Sequence, residues 1–332
     1  MAGRASPAEP GHVGRGQVQG LGEFRTQARF RRGGRRGGKI CRNDPGELGG
    51  AGMKDIALQV ARENPSLGLH ALREYLQNYL LWLMQREGLN TRLFFVGGTA
   101  LRFLWRIGRF SEDMDFSAGP DWKREEFGGA MQKLERGLSA AGYDMTLHLK
   151  EERPVQRAVF RFAELLAELG LVGRRQQKLS IALEVDTKPP AGATGAKTVV
   201  NVHVPVLLQH YDLPSLLAGK ASAVLTREYA KGRDYFDLFW FLTKWPGMEP
   251  NLALFRNALA QKRRAGEETI GDGAKEGSDD PQMDWRALLT RAVREAQWPV
   301  IETDVRAFIE DPASLLAFTQ ENLVRALADR SH

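Results

Sequence analysis

The chain has 332 residues, enough for one large domain or two small ones, and 42% of them are hydrophobic, which supports a globular body. No apolar run reaches membrane-span length and no apolar signal core opens the chain, so a cytoplasmic protein is expected; the single cysteine, Cys41, excludes an internal disulfide framework or a cysteine-rich zinc site. The net charge of +6 sits entirely in residues 1–52, which carry ten Lys/Arg against four Asp/Glu, whereas the remaining 280 residues carry 37 of each sign.

Residues 1–52 are rich in Gly and Arg, include Arg31-Arg32-Gly33-Gly34-Arg35-Arg36-Gly37-Gly38, and show no apolar periodicity. Such a segment cannot bury enough apolar area to offset its ordering entropy, so disorder is expected. It reads as a basic RNA-binding tail, or as residues upstream of a natural start at Met53-Lys54-Asp55-Ile56. Leu67–Glu87 carries Leu69, Leu72, Leu76, Tyr79, Leu80 and Leu83 on one stripe, an amphipathic helix that Gly88 ends. Leu93–Val96 is the first core strand, followed by Gly97-Gly98 and a short helical pattern from Thr99 to about Ile107. Residues 123–141 repeat the helical pattern through Phe127, Met131, Leu134 and Leu138. Tyr143, Met145, Leu147 and Leu149 then alternate as a strand, and Ala158–Phe162 reads as another, or, with the following Leu165-Leu166, as part of a helix. Leu179–Asp186 and Val199–Val204 read as strands around a Pro-Pro-Ala-Gly turn. The chain turns helical from Leu213, passes through a polar, Gly/Asp-rich stretch expected to be a mobile loop (266–282), and is helical again over 284–329. Mixed strands and helices first, then helices only, predict an α/β half over 53–212 and a helical half over 213–332.

The most informative stretch is 94–116, FFVGGTALRFLWRIGRFSEDMDF. A strand opening through glycines into a helix presents bare N–H groups and a positive dipole end to a phosphate. Asp113 and Asp115, two residues apart, would point to one face of a strand and share a hard cation that also takes phosphate oxygens. A phosphate cradle beside metal carboxylates points to phosphoryl or nucleotidyl transfer. Neither the G-x-x-x-x-G-K-[ST] loop nor G-x-G-x-x-G occurs here. In Ile181–Asp186 the alternation puts Ile181, Leu183 and Val185 on one face and Glu184 and Asp186 on the other. That acidic face reads either as a third carboxylate, metal ligand or base, or as a solvent-facing edge. His203 and His210 show no metal spacing and read as strand-surface or hydrogen-bonded residues.

The pattern GG, T-x-L-R, R-x-S-x-D-x-D-F resembles the AbiEii-type nucleotidyltransferases, toxin components of bacterial type IV toxin–antitoxin systems. Leu183–Pro190, Leu217-Ala218-Gly219-Lys220 and Arg233-Asp234-Tyr235-Phe236-Asp237-Leu238 fit the same resemblance, which runs from about Met53 to the C-terminus, strong over 93–116 and 214–242 and weak beyond 250. It implies the nucleotidyltransferase fold, a small mixed sheet backed by helices, with the helical half completing the active site. It further implies Asp113 and Asp115 as carboxylates for magnesium or manganese and Lys220 as the lysine that contacts the triphosphate. Read from the residues alone, Lys220 projects from a mainly apolar helix capped by Asp212, with Pro214 in its first turn, and would snorkel. A carboxylate of the Arg233–Asp237 motif, Asp234 or Asp237, would close the site on the nucleotide or its lysine, although Asp234 also suits a helix cap. Gly97, Gly98 and Thr99 would form the phosphate cradle. Arg102, Arg109 and Ser111 flank it and would hold phosphate or RNA, or pair with Glu112 or Asp113 and cap a turn. Phe236, Phe239, Trp240 and Leu242 read as core rather than as a platform for a base.

The resemblance thus implies an enzyme that moves a nucleoside monophosphate from an NTP to an acceptor hydroxyl, with RNA (the 3′ end of tRNA) as acceptor and an antitoxin as partner. Two rivals stand beside it. One keeps the fold but modifies a small molecule or protein, and a charge-neutral body without a basic stripe favours it. The other is a non-catalytic nucleic-acid-binding protein using the Arg/Gly segment.

Overall fold

The computed structural model describes residues 51–63, 67–163, 165–170, 179–264 and 284–329, all within one unit. Seven strands form one mixed sheet: β1 Leu93–Val96, β2 Met114–Ala118, β3 Met145–Lys150, β4 Val155–Phe162, β5 Leu179–Asp186, β6 Gly195–Asn201 and β7 Pro205–Tyr211. Their spatial order is β3-β4-β5-β2-β1-β7-β6, with β1 antiparallel to β2 and parallel to β7, and β2 parallel to β5. The glycine–aspartate motif therefore lies on the central strands, where both neighbours fix its register.

Five helices accompany the sheet: α1 Ala51–Arg62, α2 Gly68–Arg86, α3 Gly97–Trp105, α4 Phe127–Ala140 and the single turn α5 Leu165–Glu168. The stripe of α2 buries Leu72, Leu76 and Leu80 completely, and α2 touches β5, β7 and α4. Each such leucine contributes roughly 1.5–3 kcal/mol when taken from water. Phe95, Phe116 and Phe160 complete this core from the strands. Helix α1 was not expected; it buries Ala57, Leu58 and Ala61 against the same core.

A second core gathers α6 Leu213–Thr226, α7 Gly232–Lys244, α8 Leu252–Arg264, α9 Trp285–Glu295, α10 Trp298–Arg306 and α11 Gln320–Ala328. Leu101 of α3 and Ile107 just after it belong to this second core, so the motif helix is packed between sheet and helices. Phe236 and Leu242 are buried there and Phe239 and Trp240 pack against it, as expected of core residues.

The strand expected at Val199–Val204 is a hairpin instead. β6 ends at Asn201 and β7 begins at Pro205, paired from Asn201↔Pro205 to Gly195↔Tyr211. Pro205 opens a strand, a position that needs no donor. The turn is held from far away: the Asn78 side chain accepts from the backbone N–H groups of His203 and Val204, each at 2.8 Å, and donates to the Val204 carbonyl. The strand expected from Tyr143 begins at Met145, with Tyr143 buried in the preceding turn. The expectations for residues 1–52 and 266–282 fall on residues outside those described, apart from Ala51 and Gly52 at the start of α1.

Candidate active site

Gly97 begins α3 with a φ of +76°, a left-handed conformation that favours glycine. A Cβ there would collide with the Asp115 carboxyl, and one on Gly98 would come within 2.5 Å of the Arg109 guanidinium and 3.1 Å of the Ser111 hydroxyl. The two glycines therefore keep the helix N-terminus open to the side chains in front of it, and its first N–H groups have no intrahelical partner. Thr99 is fully buried and donates from its hydroxyl to the Asp113 carbonyl. Gln77, buried in α2, donates to the carbonyls of Ser111 (3.1 Å) and Glu112 (2.9 Å). The segment before β2 is thus clamped on both sides. Sequence reasoning passed over Gln77; its signal is an amide inside an otherwise apolar helical stripe.

Asp115 lies in β2, opposite Val96 of β1 and Glu184 of β5. Asp113 sits just before the strand rather than in it. Burial, then the neighbouring Glu184 carboxylate, push the Asp115 carboxyl up to about 6, against the pull of Lys220. Burial also raises Glu184, opposed by Arg157, which pairs with it at 3.1 Å across β4 and β5. Asp186 is in register with Ser117, two residues further along, and accepts from the Lys188 N–H at 2.9 Å.

Opposite these acids stands a chain of buried ion pairs. The Asp212 cap and Pro214 start α6 as expected, with the Asp212 carboxylate accepting from the Ser215 N–H at 2.9 Å. Lys220 of α6 reaches Asp234 at 2.9 Å and Asp237 at 2.8 Å, so both aspartates of α7 hold the lysine. Asp234 is not the cap of α7; that position is Lys231. Asp237, fully buried, also takes a bidentate pair from Arg109 at 2.6 and 2.5 Å, and Asp234 takes Arg227 at 2.8 Å. Burial alone would raise Asp234, but Lys220 and Arg227 outweigh it and hold the carboxyl at about 2. The same balance keeps Lys220 charged: burial lowers its pKa, and Asp234 and Asp237 raise it further.

Arg109 and Arg102, both expected near phosphate or paired to Glu112 or Asp113, are tied elsewhere. Arg109 is 1% exposed and bound to Asp237, while Arg102 is paired with Glu74 and Glu310. Glu112 pairs instead with Arg73 at 3.2 Å. His210 is hydrogen-bonded to Thr198 within the β6–β7 hairpin, and His203 packs against Tyr75.

The donors suit a hard divalent cation. Among the described residues the carboxylates of Asp113 and Asp115 have no hydrogen bond or ion pair, and burial, with the neighbouring Glu184, raises the Asp115 carboxyl in spite of Lys220 and Arg227. Among the same residues no three His, Cys, Asp or Glu side chains stand close enough to enclose an ion by themselves. Magnesium does not need that: it is commonly held by one or two carboxylates, water and substrate phosphates.

Among curated proteins, none matches the chain. Two crystal structures from Helicobacter pylori are similar in fold. One is JHP933, 16% identical, covering 78% of this chain and 88% of that one at a TM-score of 0.44. The other, provisionally described as a nucleotidyltransferase, is 16% identical and covers 75% and 89% at 0.43. With TM-scores under 0.5 neither adds weight. A family model described as the nucleotidyl transferase AbiEii toxin of type IV TA systems matches residues 80–317, well past the motifs and over more than half of the chain. That span includes the glycine cradle, the paired aspartates, Lys220 and both α7 aspartates: the chain belongs to the AbiEii family of nucleotidyltransferase toxins.

Proposed function

We propose that this nucleotidyltransferase uses a divalent cation to move a nucleoside monophosphate from an NTP to a hydroxyl of RNA, the 3′ end of a tRNA, in the cytoplasm, and that an antitoxin protein restrains it. The observation that carries the reading is the opposition of two groups. Asp113 and Asp115 make no ion pair among the described residues, and Lys220, which two buried carboxylates hold charged, acts electrostatically on Asp115.

In this reading the N–H groups of Gly97, Gly98 and Thr99 and the Ser111 hydroxyl hold phosphate oxygens at the positive end of α3. Lys220 meets the triphosphate and supplies a point charge as negative charge moves toward the leaving group. Asp234 and Asp237 position that lysine; Arg109 positions Asp237. Asp113 and Asp115 would hold magnesium or manganese, which when bound neutralises charge on the phosphates. Glu184, rather than Asp186, is the third carboxylate. It is in register with Asp115, whereas Asp186 stands two residues, roughly 6–7 Å, further along the strand. The acceptor oxygen forms a bond to the α-phosphorus, and the bond from that phosphorus to the bridging oxygen breaks. Pyrophosphate leaves, and the hydroxyl proton passes to Glu184, whose raised pKa suits a base.

Incubating the protein with each labelled NTP, magnesium and total RNA tests this directly. Label entering RNA, and lost with Asp115→Asn, is the expected result. Label entering only small molecules or protein would sink the RNA reading while leaving the enzyme class intact.

A further inference from the structure

A groove of about 840 Å³ opens beside the acidic site, between the ends of β4 and β5, the α6–α7 connection and α8. Five cations line it: Arg153, Lys188, Arg227, Lys231 and Lys262. Two acids, Asp186 and Glu228, share it, so the lining carries an excess of three positive charges on a body that is neutral as a whole. The even balance of 37 against 37 had argued against an electrostatic footprint; it conceals one.

We propose that this groove is the subsite for the acceptor strand, binding the phosphodiester backbone of single-stranded nucleic acid and stacking one base on Tyr229. The proposal rests on the transfer to RNA described above and names where that RNA lies. Three observations carry it. Among the described residues Arg153, Lys188 and Lys231 are exposed and make no ion pair, so their charge is available to a ligand. The groove also holds two exposed apolar side chains, Tyr229 at 76% and Val155 at 41%. An aromatic ring set among cations is the pattern of a stacking platform in a positive channel. Finally, the groove is joined to the chemistry: Arg227 pairs with Asp234 and acts electrostatically on Asp115 and Glu184, and Lys231 on Glu184. A strand lying in it would deliver its end to that carboxylate pair. Lys188, just past the end of β5, and Lys262 on α8 line the groove, whereas the glycine cradle does not, which suits an extended polyanion better than one triphosphate.

The test uses the full chain and a fluorescent oligoadenylate of about 12 nucleotides, within the site size of such channels. Lys188→Ala/Lys231→Ala should bind more weakly, and the slope of log affinity against log salt should become shallower by about 1.4, roughly 0.7 for each phosphate no longer neutralised. Tyr229→Ala should weaken binding about tenfold and Tyr229→Phe should restore it. All three variants should bind a non-hydrolysable NTP analogue as the parent does. The same oligonucleotide carrying 4-thiouridine should photocrosslink to the tryptic peptide Glu228-Tyr229-Ala230-Lys231. Unchanged binding and slope, an adduct confined to residues 1–52, or a loss of NTP binding as large as that of RNA would each overturn the proposal. If the variants lose RNA binding but the parent labels no RNA with any NTP, the groove stands and the transfer reading fails. If nucleotide reaches RNA equally well in parent and variants, the groove fails and the transfer reading stands.

Discussion

Asp237→Asn should destabilise the protein by about 3–5 kcal/mol, the cost of breaking a buried ion pair from one side. Asp237 is fully buried and Arg109 is 1% exposed, joined by two bonds of 2.6 and 2.5 Å. Without the carboxylate, Arg109 keeps its bond to the Phe110 carbonyl and Lys220 keeps Asp234, so the cost falls mainly on the guanidinium. At roughly 2–4 °C per kcal/mol for a unit of this size, the melting temperature should drop by about 6–20 °C. Arg109→Met is the milder change, about 1–3 kcal/mol, because Asp237 is left with Lys220 at 2.8 Å. The double variant should lose less than the sum of the two, with a coupling of about 2 kcal/mol. Urea unfolding of all four proteins measures it. Two singles that each lose under about 1 kcal/mol and simply add would show that the pair is not desolvated. Arg109 would then return to consideration as a phosphate ligand.

Asp115→Asn should abolish nucleotide transfer and, in metal-free buffer at pH 8, raise stability. The carboxyl is pushed from 3.8 to about 6, so its ionised form costs the fold up to about 3 kcal/mol. That cost is absent below about pH 4, grows as pH rises and is complete above about pH 6; thermal melts across pH should show the gap between variant and parent closing on acidification. Lys220→Ala should lower kcat/KM for NTP by about 100-fold or more at a stability cost of about 1–3 kcal/mol, the same as Arg109→Met, since Asp234 keeps Arg227 and Asp237 keeps Arg109; equal kinetics would return the lysine to a packing role. A chain beginning at Met53 should stay folded and active, whereas one beginning at Ser66 loses the buried Ala57, Leu58 and Ala61 and should melt earlier; equal melting of the two would show α1 to be dispensable.

What the sequence made legible was local. The strand, Gly-Gly and helix of 93–105 are encoded in consecutive residues, and so are the stripe of α2 and the alternation of β5 that sets Glu184 beside Asp115. What it hid was the choice of partner over distance. Val199–Val204, with four valines in six residues, reads as one strand, and its break into a hairpin is held by an asparagine some 125 residues earlier. Arg109 has Glu112 and Asp113 as sequence neighbours, yet its carboxylate lies 128 residues away on α7. A motif can show that a carboxylate, a lysine and an arginine are present, but which cation neutralises which acid is decided by which pair the fold excludes from water. Here that exclusion assigns Arg109 and Asp237 to each other and leaves Asp113 and Asp115 without an ion pair among the described residues. The charge that remains is the one a substrate and its cation can answer.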